Sequence, residues 1–300
     1  MQHFQSIDEA QAFVLRSLLS TGLPASPRGL STLELFPFGF TLQNPRRRCL
    51  TIEARRWSLP AAIGELAWHL SGSTELDFIA RYLKRWRSIN RNLPVIEGSC
   101  YGYRIFGSSG GSNQSQWRRL VELIRADAST RRGVLNLFDP EVGLDPRAAD
   151  SPCACSLQFI VRGDQLHQIA YMRSNDAIWG LPYDVFIFTM LQELLACELG
   201  LELGTYSHMV GSLHLYEQHL TLAGRIVAEY DQGLVGDLEM PIMKGHHQVS
   251  LFVQEERSIR VEGVRQLRGS LEPYWEHLLG ILESFLLDKT VPMRLLTRAE

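Results

Sequence analysis

Within residues 151–219 the chain brings together side chains able to do covalent chemistry on a phosphorylated substrate. Cys153 stands directly behind Pro152, at what reads as a loop-to-strand junction where a thiol can be presented. A single cysteine is more often a small buried hydrophobe, and use as a nucleophile calls for cationic surroundings that favour the thiolate. Arginines nearby in the sequence offer such surroundings. Cys155 is expected to share the strand face of Cys153, since strand side chains alternate with period two. A Cys-x-Cys metal pair finds no further ligands at matching spacing, so no metal is expected. Arg173 and Ser174 end a predicted strand and suit a phosphate, with Arg28, Arg131 and Arg132 as candidates to complete the site; the plainer alternative is a surface arginine. Asp184 opens a long apolar segment, where aspartate commonly caps a helix. His214 and Tyr216 either hydrogen-bond within the core or reach a ligand. Taken singly, these residues lead no further than a phosphate-ester enzyme with a cysteine nucleophile.

The elements that must position them follow from periodicity and punctuation. Ser6-Ile7-Asp8-Glu9 is a capping box opening an amphipathic helix that ends at Gly22. Pro24, Pro27 and Gly29 impose an irregular loop that carries Arg28. Residues 30–42 alternate enough for a strand pair broken at Pro37-Phe38-Gly39. Residues 61–70 form a strongly apolar helix containing Glu65, a carboxylate that either faces water or has a task. Residues 74–90 predict one helix with Trp86 among basic neighbours. Tyr101 follows a loop, residues 117–126 are helical, 133–138 a strand and 139–152 a loop. Residues 157–161 and 166–172 predict a hairpin about Arg162-Gly163-Asp164-Gln165. After the Asp184 helix come a strand at 204–209, a helix at 213–230, strand-like pieces at 248–253 and 258–261, and a last helix at 275–287. Strands and helices interleave throughout, so the fold class is α/β or α+β.

Composition narrows the function. The chain has 300 residues, 45% hydrophobic and 21% charged, with no dividing linker; residues 107–115, Gly/Ser-rich, read as a loop, and one domain over 1–300 is expected. A net charge of −3 gives no global basic field for duplex nucleic acid; the positive charge is local, in Arg46-Arg47-Arg48, Arg55-Arg56 and Arg131-Arg132. Five cysteines without zinc spacing, two of them too close for an ordinary disulfide, suit a reducing cytoplasm. No basic-then-apolar signal opens the chain, and residues 185–203 are interrupted by Gln192, Glu193, Glu198 and Glu202, so they read as a buried helix and not a membrane span.

The ordered set says more than its members. Pro152-Cys153 with Gln158-Phe159, then Arg173-Ser174-x-Asp176, Gly180-Leu181-Pro182-Tyr183-Asp184 and His214-Leu215-Tyr216 resembles the thymidylate synthase family. Upstream, residues 65–72 resemble the family's Glu-Leu-x-Trp-x-Leu-x-Gly helix, Tyr101-Gly102 its Tyr-Gly loop, Arg131-Arg132 its double arginine and Arg28 its phosphate-loop arginine. The resemblance covers roughly residues 20–235. It implies a single α/β domain, a mixed sheet flanked by helices, that dimerises through a sheet face. It also implies a pyrimidine nucleoside monophosphate substrate and 5,10-methylenetetrahydrofolate as co-substrate. Cys153 would add to C6 of the base. Arg28, Arg173 and Ser174 would hold the 5′-phosphate, with Arg131 and Arg132 reaching in from the partner of a homodimer and Gln158 contributing to substrate binding. Glu65 would organise water and proton transfers near the folate, Tyr101 would assist at the base, and His214 and Tyr216 would hold the sugar. Asp176 would meet the folate side and Trp86 would wall its pocket.

The departures decide between branches. At Asp184 the synthases have an asparagine that reads uracil, whereas an aspartate suits the N4 amino group of cytosine. This resembles the family's cytidylate hydroxymethylases. Ala154 replaces the histidine that follows the nucleophile in synthases, and residues 291–300 do not resemble the small apolar tail that seals the synthase site. Both lean towards quenching by water. The expectation is a cytidylate 5-hydroxymethyltransferase, with deoxycytidylate favoured over cytidylate because Ser174 and the double arginine keep the deoxynucleotide pattern. A deoxycytidylate methyltransferase and a deoxyuridylate-using synthase are the alternatives, and a non-catalytic nucleotide- or RNA-binding protein is the remote one.

Overall fold

A computed structural model describes residues 1–107 and 114–287. The first strand, β1 (Gln2–Phe4), leads into α1 (Ile7–Thr21), which starts where the capping box predicts: Ser6 Oγ accepts from the Glu9 amide at 3.3 Å. The strands β2 (Leu23–Ala25), β3 (Thr32–Leu35) and β4 (Phe38–Leu42) follow. β3 and β4 do not pair with each other as residues 30–42 suggest; both lie against one later strand.

Five helices come next among the described residues. α2 (Leu59–Ser71) is the apolar helix of Glu65, capped by Ser58 and ended by Gly72 in the left-handed region. The single helix predicted over 74–90 is two pieces, α3 (Leu76–Tyr82) and α4 (Trp86–Ile89), because Leu83 leaves helical backbone geometry. α5 (Tyr101–Phe106) carries Tyr101 and packs on α2. α6 (Gln116–Ala126) and the edge strand β5 (Val134–Asn136) match expectation, while the loop before Cys153 holds one short turn, α7 (Pro140–Gly143).

Residues 154–216 form a hairpin, a helix and a long strand. β6 (Ala154–Arg162) and β7 (Gln165–Asp176) pair antiparallel around Gly163, whose φ of 63° is the left-handed geometry that the tight turn requires. A register shift between Ala154 and Ser156 puts a bulge at Cys155, so the simple alternation expected to align Cys153 with Cys155 is interrupted there. α8 (Leu181–Leu199) is apolar on every side and buried almost throughout. β8 (Glu202–Tyr216) is far longer than the predicted strand, and it absorbs the first turn of the predicted 213–230 helix. His214 and Tyr216 therefore lie on a strand. The helix itself, α9 (Leu220–Asp231), starts later. The strand-like pieces near 248–261 are one helix, α10 (Val249–Glu262), held by packing on α2 and on α11 (Pro273–Leu286).

The sheet order is β1-β4-β8-β7-β6-β5, with β3 also on β8 and β2 on β3. The β7–β8 and β1–β4 pairs are parallel and the others antiparallel, so the sheet is mixed and helices flank it. Residues 291–300, and residues 108–113 of the Gly/Ser-rich loop, lie outside the described residues. Among the described residues no helix is long and apolar enough to cross a membrane.

α8 is fixed at its middle by Glu193, which is buried and accepts from Arg46 Nε at 2.7 Å, from the buried Arg48 guanidinium and from the Met243 amide at 3.1 Å. Removing one partner of a buried ion pair strands the other. Glu193→Ala is expected to lower unfolding free energy by about 3–5 kcal/mol in urea titration. A loss below about 1 kcal/mol would show that the arginines find water instead.

Candidate active site

Parallel β7 and β8 set Ser174 opposite Ser212 and Asp176 opposite His214, so their C-terminal ends open side by side. The loop before β3 closes over them. There Arg28 adopts φ 53°, in a 3-10 turn at Pro27–Gly29 that turns the chain back towards Tyr216. Arg28, Arg173, Ser174, His214 and Tyr216 line one cavity of about 330 Å³, together with Pro27, Glu34 and Ser212. Five residues picked out across almost 190 positions of sequence thus meet in one place. Two arginines, a serine hydroxyl and a His/Tyr pair offer donors for a phosphate and partners for a sugar hydroxyl.

The cavity is joined to Cys153 through Arg173. Its Nε donates to the Pro152 carbonyl at 2.8 Å, and its Nη2 reaches Ser151 Oγ at 3.1 Å and Cys153 Sγ at 4.0 Å. Tyr101, on α5, holds the same segment: its hydroxyl accepts from the amides of Cys153 at 3.2 Å and Ala154 at 3.1 Å. The backbone that carries the thiol is therefore held by both Arg173 and Tyr101. Gly102 allows the approach, since a Cβ there would stand 1.9 Å from the His69 carbonyl oxygen.

Charge runs against a resting thiolate. Burial pushes the Cys153 thiol up to about 11; Arg173 and Arg28 pull it down, but Asp184 and Asp150 oppose them. The cationic setting expected from sequence is present, yet desolvation outweighs it. Glu65 is pushed up to about 8 by burial and by Asp184, with one carboxyl oxygen lacking a partner. Asp184 is raised to about 7 by burial, against the pull of an Asn175 hydrogen bond. It is no helix cap: Gly180 holds that position, and Asp184 Oδ2 accepts from Asn175 Nδ2 at 2.7 Å.

The other predicted residues are more dispersed. Asp176 Oδ1 accepts from the amides of Ile178 at 2.7 Å and Trp179 at 3.0 Å, shaping the turn into α8. Trp86 is buried beside Trp68. Gln158 donates to the Arg131 carbonyl at 3.0 Å and accepts from Tyr171, so it braces the sheet and does not line the cavity. Arg131 and Arg132 are exposed beside edge strand β5, outside the Arg28–Arg173 cavity of their own chain. Among the described residues, no cluster of three or more His, Cys, Asp or Glu could hold a metal ion.

Four residues escaped sequence reasoning. Glu34 lines the cavity and accepts from Ser212; Trp179 stands exposed with the Arg55 guanidinium 4.6 Å and the Arg85 guanidinium 5.1 Å from its ring centre. Asn175 and His208 are buried behind Asp184. Only Trp179, an aromatic next to the Asp176 motif, carried a signal in the sequence.

The thymidylate synthase family model matches residues 14–261. The chain belongs to the thymidylate synthase family. It is also similar to the deoxyuridylate hydroxymethyltransferase of Bacillus phage SP01, with 29% identity over 212 residues. That match takes in 68% of this chain and 55% of the phage protein, so the chain spans about half the length of that relative. The matched span includes Cys153, both arginines of the cavity and the His-x-Tyr pair.

Because burial holds the thiol near 11, alkylation of Cys153 by iodoacetamide should climb steadily with pH from 7 to about 10, without a neutral plateau. Arg173→Ala should slow it further at each pH. Peptide-resolved mass spectrometry reads both; a plateau at neutral pH would mean a preformed thiolate.

Proposed function

We propose that the protein transfers the one-carbon unit of 5,10-methylenetetrahydrofolate to C5 of a cytosine nucleotide, deoxycytidylate first, and quenches with water to give the 5-hydroxymethyl product. The observation that carries this reading is Asp184, a buried carboxyl with no capping role, next to a second buried acid, Glu65. Cytosine offers a donor at N4 and an acceptor at N3. An ionised Asp184 accepts from the N4 amino group, and Glu65, held protonated at neutral pH, is the source of the proton that N3 takes up, through water. A uracil carbonyl at that position would face a like-polarity oxygen.

Arg28, Arg173 and Ser174 hold the 5′-phosphate, and His214 and Tyr216 the sugar hydroxyl, so the base is directed towards Cys153. Sulfur–C6 bond formation drives the C5=C6 electron pair towards C5. The proton leaving sulfur passes through water to the Glu65 carboxylate left by protonation of N3, so no net charge is created in the dry pocket. Tyr101, bonded to the Cys153 and Ala154 amides, keeps the sulfur in line. The folate supplies a carbon at the oxidation level of formaldehyde. C5 bonds to that carbon, the C5 proton leaves with release of tetrahydrofolate, water adds to the resulting exocyclic methylene, and departure of Cys153 completes the turnover.

The folate fits the face beside Asp176. Trp179 is 37% exposed and flanked by Arg55 and Arg85, and Arg55 Nη2 is buried without a partner among the described residues. An aromatic shelf between cations suits a planar ring with an anionic tail. Trp86, packed on Trp68, anchors the turn that presents Arg85. Arg131 and Arg132, exposed at the sheet edge, would complete the phosphate site of a second copy, with the 300 residues of each chain acting as one catalytic domain.

Quenching by water draws support from the phage relative's activity and from Ala154, which supplies no imidazole behind the nucleophile. That relative also favours a second reading, hydroxymethylation of deoxyuridylate. With its midpoint near 7, a neutral Asp184 donates to O4 of uracil. Asp184→Asn separates the readings. If cytosine is the substrate, the substitution should lower the kcat/KM ratio of deoxycytidylate to deoxyuridylate by about 100-fold or more. An unchanged ratio would remove Asp184 from base choice.

A further inference from the structure

Behind Asp184 lies a line of buried polar groups that the reaction above does not use. Tyr206 and His208 are both fully buried on β8, and Asn175 is 2% exposed on β7. The Tyr206 hydroxyl lies 2.7 Å from His208 Nδ1, His208 Nε2 lies 3.0 Å from Asn175 Oδ1, and Asn175 Nδ2 lies 2.7 Å from Asp184 Oδ2. The His208 ring is stacked on Phe40 at 5.4 Å, which fixes its plane. Gly180 leaves room for the last contact: a Cβ there would come within 2.8 Å of Asn175 Nδ2 and 3.2 Å of Asp184 Oδ2.

The direction of these bonds follows from counting protons. His208 is neutral, because burial drives its imidazolium pKa down to about 3, so it carries one N–H. If that proton were on Nδ1 it would point at the Tyr206 oxygen, and the Tyr206 hydroxyl would have no acceptor among the described residues. Asn175 would then have to flip and turn its carbonyl towards Asp184. With the proton on Nε2, every group is satisfied: Tyr206 donates to His208, His208 to Asn175, and Asn175 to Asp184.

We propose that Asn175, His208 and Tyr206 are positioning residues for Asp184, a one-way donor chain that reserves Oδ2 and leaves Oδ1 alone to meet the base. A proton on Asp184 can then sit only on Oδ1. The same atom is an acceptor when Asp184 is ionised and a donor when it is neutral, so the chain sets which pyrimidine edge is accepted. Other groups around Asp184 act on the same balance: Glu65 on α2 and Asp176 on β7 are acids, Arg85 ahead of α4 is a cation, and Tyr101 and Cys153 face it as neutral groups. The link to base choice rests on the proposed pyrimidine-nucleotide function; the donor chain does not.

The test reads the chain directly. The C=O stretch of protonated Asp184, identified as the infrared band lost in Asp184→Asn, is followed against pH in the free enzyme. Asn175→Leu, similar in shape but without the donor, should raise the midpoint by about one pH unit or more. Tyr206→Phe, which removes only the outermost hydroxyl, should raise it by less, and His208→Gln, which restores an N–H, should lie nearer wild type than His208→Leu. Midpoints that stay in place or fall in Tyr206→Phe and in Asn175→Leu overturn the chain; Tyr206→Phe keeps the test decisive if Asn175→Leu fails to fold. The deoxycytidylate-to-deoxyuridylate kcat/KM ratio should fall about threefold to tenfold in Tyr206→Phe. A shifted midpoint with an unmoved ratio overturns the role in base choice. If wild type turns over neither nucleotide, the functional reading has failed while the infrared titration still judges the chain.

Discussion

Two carboxyl groups, Glu65 on α2 and Asp184 on α8, are both raised by burial and lie close enough that the charge of Asp184 raises the proton affinity of Glu65 further. Burial pushes each towards its neutral form, and ionisation of Asp184 pushes Glu65 further that way. That conflict is tolerated because α8 is pinned by Glu193 to the Arg46–Arg48 segment and because Asn175 donates to one of the two acids. The outcome is a pair with midpoints near 8 and 7, one acid mostly protonated and one poised to change. Two carboxyl groups whose environments set their proton affinities apart can act as donor and acceptor of a proton.

Around this pair the molecule separates the charged cavity from the thiol. The Arg28–Arg173 cavity holds charge and lies at the open end of β7 and β8, while the thiol stands behind it in a desolvated wall. Arg173 belongs to both, lining the cavity and gripping the loop that carries Cys153. Anything that fills this cavity against Arg173 therefore acts on the geometry of Cys153. A thiol that rests protonated is less prone to adventitious alkylation and oxidation.

Local signals in the sequence were enough for α1, the β6–β7 hairpin and α8, where a capping box, a Gly turn and a long apolar run each act over few residues. β8 was misread because its buried positions are even-numbered up to Val210 and odd-numbered from Leu213, so no single alternation spans the change near Gly211. α10 was misread because its Val-Ser-Leu-Phe-Val opening looks like a strand, and only packing on α2 and α11 makes it a helix. In the site, Arg28, Arg173, Ser174, His214 and Tyr216 were readable only as an ordered set. The protonated Cys153 was not readable, since burial exists only after folding. Asn175, His208 and Tyr206 were equally hidden, because their roles arise where three distant segments touch.

The most direct measurement of the account is tritium release from C5-labelled deoxycytidylate and deoxyuridylate in the presence of 5,10-methylenetetrahydrofolate, with the product mass determined. The account predicts release from the cytosine nucleotide and a product heavier by one CH2O unit. Release from deoxyuridylate alone, or a product heavier by CH2, would contradict it.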